Sequence, residues 1–219
     1  MNGNIIYCTE NYIAGISDTF GAKLHRHPLI EIYAACDGNS HIISEQDSME
    51  GEIIVVGANT EHAISDTGKP GIALFLDPLT ETGYSLGRNT LTSQPICTVG
   101  ADDDLRTQLK ELPGSDLKHL QDVCETILER LCGDTVKRPF DKAVLQTIDL
   151  LGEEDCEYDM NILAESVFLS KSRLAHVFSL QTGITLKEYL QYKRLERACR
   201  KMLKGQNITE AAGRRCKDV

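Results

Sequence analysis

The stretch Asn161–Leu190, NILAESVFLSKSRLAHVFSLQTGITLKEYL, has the pattern of two short helices joined by a tight turn. Ser170 stands where the N-cap of the second helix is expected. Leu174 and Phe178 recur at helical spacing and predict one buried side for that helix. Gly183 follows the helix and suits a left-handed C-terminal end. The stretch therefore predicts a helix-turn-helix.

The exposed side of the second helix carries small, polar or basic residues. Such a side fits the major groove of DNA, because a recognition helix presents its N-terminal residues to base edges. We predict that the helix 171–181 reads DNA through five side chains: Lys171, Ser172, Arg173, Ala175 and His176. The alternative interpretation is an ordinary helical hairpin within a larger helical domain.

The residues that carry a resemblance to a known family are Ala164, Ser170, Leu174, Phe178, Gly183, Tyr189 and Arg194–Leu195. In this pattern the sequence resembles the AraC-type transcription regulators. The resemblance implies a long helix over about 185–203 and the start of a second helix-turn-helix at Asn207–Ala212. It also implies that Ser172, Ala175 and His176 face bases, whereas Lys171 and Arg173 favour phosphate. Phe168 departs from the glycine usual in such turns, which predicts a modified turn.

The second helix-turn-helix is expected to be incomplete. Residues 208–219, ITEAAGRRCKDV, reach the place where its turn should stand and lack the usual glycine and aromatic pair. An alternative function follows from this expectation, namely a truncated regulator that dimerises but binds DNA weakly.

The charge of the chain is divided unequally along its length. Residues 1–157 hold 11 Lys/Arg and 27 Asp/Glu, a formal net charge of −16, whereas residues 158–219 hold 12 and 6, a net charge of +6. This asymmetry is typical of a chain in which only the C-terminal region meets phosphates. A solvated basic helix would give the same charge. The long helix is expected to expose basic residues: Lys193, Arg194, Arg197, Arg200, Lys201 and Lys204.

The composition predicts a cytoplasmic protein that does not enter a membrane. No stretch approaches the length of a transmembrane helix, and the N-terminal sequence MNGNIIYCTENY lacks the profile of a secretory signal. The eight cysteines form no CxxC pair, so we interpret them as reduced thiols.

The first 86 residues contain short alternating runs separated by Gly, Asn, Asp and Pro, which predict many short strands. Such a pattern is typical of a small barrel or sandwich. The predicted fold class is α+β: an N-terminal cupin-like β-barrel, then helices, then an all-α helix-turn-helix domain that is truncated. The segment from Thr80 to Thr98 is interpreted as an irregular transition, because its glycines interrupt any regular pattern.

Four residues of this region match the two cupin motifs. His25, His27 and Glu31 have the same parity on the chain and would face one side of a strand. The sequence HRHPLIEIYAACDG resembles the first cupin motif, and Gly51 with His62 resembles the second. Gly57 and Asn59 stand where cupins usually have proline and glycine, which leaves the position of His62 open.

These side chains predict either of two kinds of site. Three imidazoles and a carboxylate could hold a divalent transition metal through His25, His27, Glu31 and His62. Without a metal, the same residues together with Tyr33 would bind a small anionic or hydroxylated effector. A metal-dependent cupin enzyme that uses the same four residues is the alternative to a ligand-responsive, non-enzymatic regulator.

Helical sequence follows the predicted barrel. Residues 117–131 carry an apolar stripe over about four turns, capped by Ser115. AraC-type regulators often pair subunits through this region, so we predict a homodimer contact here, with packing on the chain's own barrel as the alternative. The expected domains are an effector-binding barrel at 1–98, a helical dimerisation segment at 99–136 and a DNA-binding domain at 137–219.

Overall fold

The computed structural model describes residues 5–19, 21–44, 48–65, 68–92, 94–153 and 159–207. Its contacts divide the chain into two compact units, Met1–Lys137 and Arg138–Val219. The segment 99–136, which we predicted as a separate helical segment, belongs to the first unit. Within the described part of the chain, no helix is long and apolar enough to cross a membrane.

The first unit contains two antiparallel sheets. The larger sheet has the order β1-β2-β9-β4-β7-β10, and the smaller has the order β3-β8-β5-β6. Their strands are β1 Ile5–Cys8, β2 Tyr12–Ser17, β3 Ala22–His25, β4 Ile30–Ala35, β5 Ser40–Ile43, β6 Ser48–Gly51, β7 Ile53–Val56, β8 His62–Ile64, β9 Gly71–Leu76 and β10 Ile96–Val99. The predicted antiparallel barrel is confirmed.

The central strand β4 is buried on both faces, because each face meets a different core. Ile30 and Ile32 belong to the core that the large sheet shares with the helices. Tyr33 belongs to a second apolar cluster, which also contains Ile42 and Ile64 of the small sheet. The alternation of the strand therefore points Glu31, which has the parity of Tyr33, toward the space between the sheets.

Three helices complete the first unit: α1 Glu81–Thr90, α2 Asp103–Glu111 and α3 Leu117–Cys132. The apolar stripe of α3, including Val123 and Ile127, packs into the core formed with the large sheet. The stripe thus packs on the chain's own barrel, the alternative to a dimer contact. Two details differ from the prediction: Leu117 is exposed, and Asp116 rather than Ser115 caps the helix, since its side chain accepts from the His119 N–H.

Helix α1 corrects the interpretation of Thr80–Thr98 as irregular. Thr80 is its N-cap and accepts a hydrogen bond from the Gly83 N–H. A Cβ at Gly83 would lie 2.0 Å from the Asp77 carbonyl oxygen. Glycine at this position therefore permits close packing of the helix on the end of β9 and does not interrupt the helix. Strand β10 then occupies the last part of the segment.

The second unit is all-helical, with α4 Lys142–Gly152, α5 Met160–Ser166, α6 Lys171–Thr182 and α7 Leu186–Leu203. Helices α5 and α6 form the predicted helix-turn-helix around buried Leu174 and Phe178. Ser170 caps α6 by accepting from the Arg173 N–H. Gly183 ends α6 with a φ of 74°, the left-handed value that the sequence predicted. The second helix-turn-helix was predicted to start at Asn207–Ala212, and this segment lies outside the described residues from residue 208 onward.

Helix α7 has the predicted extent, but one of its side chains is placed differently. Lys193, expected on the exposed basic side, is buried and donates to Glu196. Leu195, an apolar residue of the pattern that carries the family resemblance, is exposed. A helix with apolar residues around much of its circumference gives no clear stripe, so periodicity alone assigns such neighbours poorly.

Candidate functional sites

The barrel strands bring the four predicted cluster residues together. His25 ends β3 and is the register partner of His62 at the start of β8. His27 lies in the connection that follows β3, and Glu31 lies on β4. One ligand atom from each of the four residues lies within 4.8 Å of all the others. The end of β3 with the loop after it, the start of β8 and the start of β4 therefore converge on one site.

Glu31 is the centre of the cluster. Its Oε2 lies 2.8 Å from His62 Nε2 and 3.2 Å from His27 Nε2. Glu31 and His62 are buried, whereas His25 and His27 are half-buried. Glu31 and His62 therefore form the buried side of the site, and His25 and His27 form the side that is accessible to solvent.

Backbone carbonyls orient two of the imidazoles. His62 Nδ1 lies 2.9 Å from the Thr60 carbonyl oxygen, and His25 Nδ1 lies 2.8 Å from that of Lys23. A carbonyl only accepts, so in both rings Nδ1 carries the proton. A neutral His62 then has no proton on Nε2, and its 2.8 Å contact with Glu31 requires a second proton or a cation beside the carboxylate.

The surroundings of Glu31 and His62 favour the charged forms of these two side chains. Burial alone would raise the pKa of Glu31, but hydrogen bonds from His27 and His62 hold that pKa at about 2. Burial alone would lower the pKa of His62, but its hydrogen bonds with Glu31 and Thr60 outweigh burial and raise the pKa. The carboxylate is therefore an anion surrounded by imidazoles.

The loop before β8 resolves the position of His62, which the sequence left open. Asn59 has a φ of 59°, a left-handed conformation that asparagine tolerates better than most residues. Its N–H donates to the His27 carbonyl, 2.8 Å away. Asparagine thus replaces the usual glycine without displacing the loop, and His62 reaches the cluster.

One aromatic side chain packs against the cluster. The ring of Phe75 meets His27 edge-on, with centroids 5.6 Å apart. Tyr33, which we predicted as an effector-binding residue, lies in the apolar cluster between the sheets and is 3% exposed. Sequence reasoning missed Phe75; its register pairing with Glu31 across β4 and β9 appears only in the fold.

The cluster fits a divalent transition metal. Ligand atoms that share one metal at bonds of about 2.1 Å lie at most about 4.2 Å apart, and the four ligand atoms of the cluster, all within 4.8 Å of one another, come close to that spacing. The carbonyl contacts occupy Nδ1 of His25 and His62, so Nε2 is the atom that each ring turns toward the cluster, which is the usual arrangement around metal-bound histidines. His27 Nδ1 is buried without a hydrogen-bond partner.

The predicted DNA-reading residues share the first turns of α6. Lys171, Ser172, Arg173 and His176 are exposed, and Ala175 is half-buried. The opposite side of α6 is fixed in the core by Leu174, Val177 and Phe178. The helix therefore presents a polar and basic side while its apolar side is held by the rest of the second unit.

Known proteins resemble this chain in the helix-turn-helix and in the whole fold. The helix-turn-helix domain family matches residues 163–214. No curated protein matches the sequence. Among solved structures, an apo variant of ToxT from Vibrio cholerae has 12% identity and a TM-score of 0.54, covering 93% of this chain and 88% of that chain. Another ToxT structure has 12% identity and a TM-score of 0.52, covering 94% and 89%.

ToxT bound to an unsaturated fatty acid is also similar, with 10% identity and a TM-score of 0.50 over 93% of this chain and 86% of that chain. At such identities the likeness shows a shared fold. The predicted helix-turn-helix is confirmed by the domain match, and the predicted fold, a barrel followed by helices, is confirmed by the shared fold.

Proposed function

We propose that the chain is a ligand-responsive DNA-binding regulator of transcription, of the AraC type. The observation that carries the proposal is the helix-turn-helix of α5 and α6, which the matched domain covers except for the first three residues of α5. The exposed basic residues at the N-terminus of α6 support a role in the major groove. The site for the small effector would be the cluster of the barrel, whose open side is formed by His25 and His27.

DNA binding is tested by selecting duplexes from a randomised library and measuring affinity by fluorescence anisotropy. We expect Lys171→Ala and Arg173→Ala each to weaken binding about ten-fold and to reduce the salt slope by about one, because each removes one phosphate contact. Lys118→Ala changes an exposed lysine of α3 and serves as the control. Equal affinities for all four proteins would refute the assignment of α6.

We further propose that the cluster holds one divalent transition metal. His25, His27, Glu31 and His62 would be its ligands, and such an ion supplies a Lewis-acidic position to which an anionic effector group can bind. The fit of the four ligand atoms supports this proposal. The fatty acid bound to ToxT suggests a carboxylate as the first effector class to try.

The metal proposal is tested by elemental analysis and by titration of stripped protein with Zn²⁺, Mn²⁺ or Ni²⁺. We expect one ion per chain and at least about 100-fold weaker binding in Glu31→Gln, since loss of supporting groups alone costs 10- to 100-fold. Glu50→Gln removes an exposed carboxylate of β6 and is the control. Wild-type protein that binds no metal, or Glu31→Gln that binds it equally, would contradict the proposal.

A metal-dependent enzyme would use the same four side chains, and the helix-turn-helix match favours the regulator over it. The predicted homodimer remains part of the proposed function. Because the apolar stripe of α3 is buried in its own unit, the dimer contact would use a different surface.

A further inference from the structure

Phe168 has a backbone conformation and a degree of solvent exposure that are both unfavourable for an aromatic residue. It lies in the turn between α5 and α6 with a φ of 57°, and its side chain is 95% exposed. Only glycine, and less often asparagine or aspartate, adopts this left-handed conformation without strain. A bulky aromatic residue here carries backbone strain and buries no surface in return.

The hydrogen bonds of the turn explain the left-handed φ of Phe168, but they do not explain why the residue is aromatic. The Leu169 N–H donates to the Ala164 carbonyl at 2.9 Å, and the Phe168 N–H donates to that of Glu165 at 3.1 Å. This pair of bonds is the Schellman pattern, in which the residue at the position of Phe168 is usually glycine. Glycine would satisfy the turn at lower cost, so the aromatic ring has no role inside the second unit.

The surroundings of Phe168 indicate what the ring contacts. It stands two residues before Ser170, the N-cap of α6, so their Cα atoms are within about 7 Å of one another. Lys171, Ser172 and Arg173 follow directly and are exposed. A recognition helix enters the major groove by this end, which brings Phe168, two residues before the cap, to the rim of the groove.

We propose that Phe168 is a specificity-determining residue that makes an apolar contact with a thymine methyl group at the rim of the major groove. Apolar side chains, including phenylalanine, recognise the C5-methyl of thymine in this way. The proposal rests on DNA binding by α6. The contact offsets the strain of the turn only in the complex with DNA, which accounts for a residue that is unfavourable in the free protein.

The test uses a duplex selected by the wild-type protein from a randomised library. Each thymine is replaced in turn by deoxyuridine, which lacks only the methyl group. We expect one replacement to weaken wild-type binding about four-fold, the effect of one buried methyl group. The same replacement is expected to have no effect on Phe168→Gly or Phe168→Asn, both of which keep the turn. These variants bind the original duplex about four-fold or more weakly, with an unchanged salt slope.

Leu180→Ala is the matched control. Leu180 is 74% exposed but lies nine residues beyond Lys171 on α6, about 13 Å along the helix axis. We expect it to bind and discriminate like the wild type. Unfolding in urea supplies a second readout, in which Phe168→Gly and Phe168→Asn unfold at a higher concentration than the wild type because the strain is gone.

The outcomes separate the two proposals. If Lys171→Ala weakens binding but the Phe168 variants keep wild-type affinity and the same deoxyuridine profile, the role of Phe168 is refuted and DNA binding stands. If the Phe168 variants lose affinity equally for every deoxyuridine duplex, the contact is not to a thymine methyl, and the proposal fails in that form. If the wild type selects no duplex and Lys171→Ala changes nothing, both proposals fail.

Discussion

Glu196 is a buried carboxylate between two cations of α7. Its Oε2 lies 2.5 Å from Lys193 Nζ, and its Oε1 lies 2.5 Å from Arg200 Nη2. Burial alone would raise the pKa of Glu196, but the charges and hydrogen bonds of Lys193 and Arg200 outweigh burial and lower it. Lys193 is itself buried, so the negative charge of Glu196 compensates a positive charge inside the second unit.

Replacing Glu196 should destabilise the second unit in a pH-dependent way. At pH 7 we expect Glu196→Gln to cost on the order of 2–3 kcal/mol, because it removes the charge of a buried carboxylate that lies 2.5 Å from the buried Lys193 ammonium. A carboxyl whose folded pKa is lowered stabilises the protein above its unfolded pKa of about 4.3, and this stabilisation is lost as the pH falls through the folded pKa. The wild-type advantage should therefore shrink between pH 5 and pH 3.

Urea denaturation of both proteins at pH 7 and pH 3.5 measures this difference. Glu165→Gln, at an exposed position of α5, serves as the control and should lie within about 0.5 kcal/mol of the wild type at both pH values. An equal gap between wild type and Glu196→Gln at both pH values would show that charge is not the cause.

The cluster residues show which features of a site are readable from sequence at the residue scale. His25, His27 and Glu31 are close on the chain, and strand parity alone places them on one side. His62 was found through the second motif, although Asn59 replaces the usual glycine there. The ring of Phe75 and the carbonyl of Thr60 could not be predicted, since both reach the cluster through strand register and loop geometry.

At the scale of the element, α1 shows how the same residue type has opposite effects. The helix contains Gly83 and Gly87, and both suggested an irregular segment. A Cβ at Gly83 would lie 2.0 Å from the backbone oxygen of Asp77, whereas at Gly87 the nearest atom is Ile30 Cδ1 at 3.5 Å. The first glycine is required by packing, and the second is only a weak helix former.

These two glycines give a matched pair of predictions. Gly83→Ala should destabilise the first unit by about 1–3 kcal/mol, because its methyl group meets backbone that cannot move aside cheaply. Gly87→Ala should be neutral or stabilise by up to about 1 kcal/mol, since alanine is the better helix former. Midpoints of urea unfolding, followed by circular dichroism, measure both. The same sign for the two variants would contradict this account of α1.

The elements that sequence predicted well are those whose signals are local. Helix α6 has its cap, its stripe and its terminal glycine within Ser170–Gly183, and all three appear in the structure. Helix α1 was missed because its glycine signal depends on the approach of β9, which is not visible along the chain. Lys193 was placed wrongly because α7 packs against both α4 and α6, so neighbouring positions on the helix differ in burial for tertiary reasons.

For the whole molecule, the separation of charge has a consequence for DNA binding. Residues 1–157 carry a net charge of −16 and residues 158–219 carry +6. The acidic part repels DNA at any distance shorter than a few screening lengths, and the screening length is about 30 Å at 0.01 M salt but only about 3 Å at 1 M. The acidic part of the chain, residues 1–157, therefore lowers affinity in dilute salt.

Neutralising exposed acids of the first unit should therefore strengthen DNA binding only at low salt. We choose three exposed carboxylates, and the combined variant is Glu111→Gln, Asp122→Asn and Glu129→Gln. At 0.01 M salt we expect roughly two- to three-fold tighter binding to a library-selected duplex, and at 0.5 M salt no difference. The charge-conserving triple variant Glu111→Asp, Asp122→Glu and Glu129→Asp is the control and should match the wild type throughout. A gain that persists at 0.5 M salt, or one shared by the charge-conserving variant, would mean that these side chains act by contact or by stability and not through the long-range field of the acidic unit.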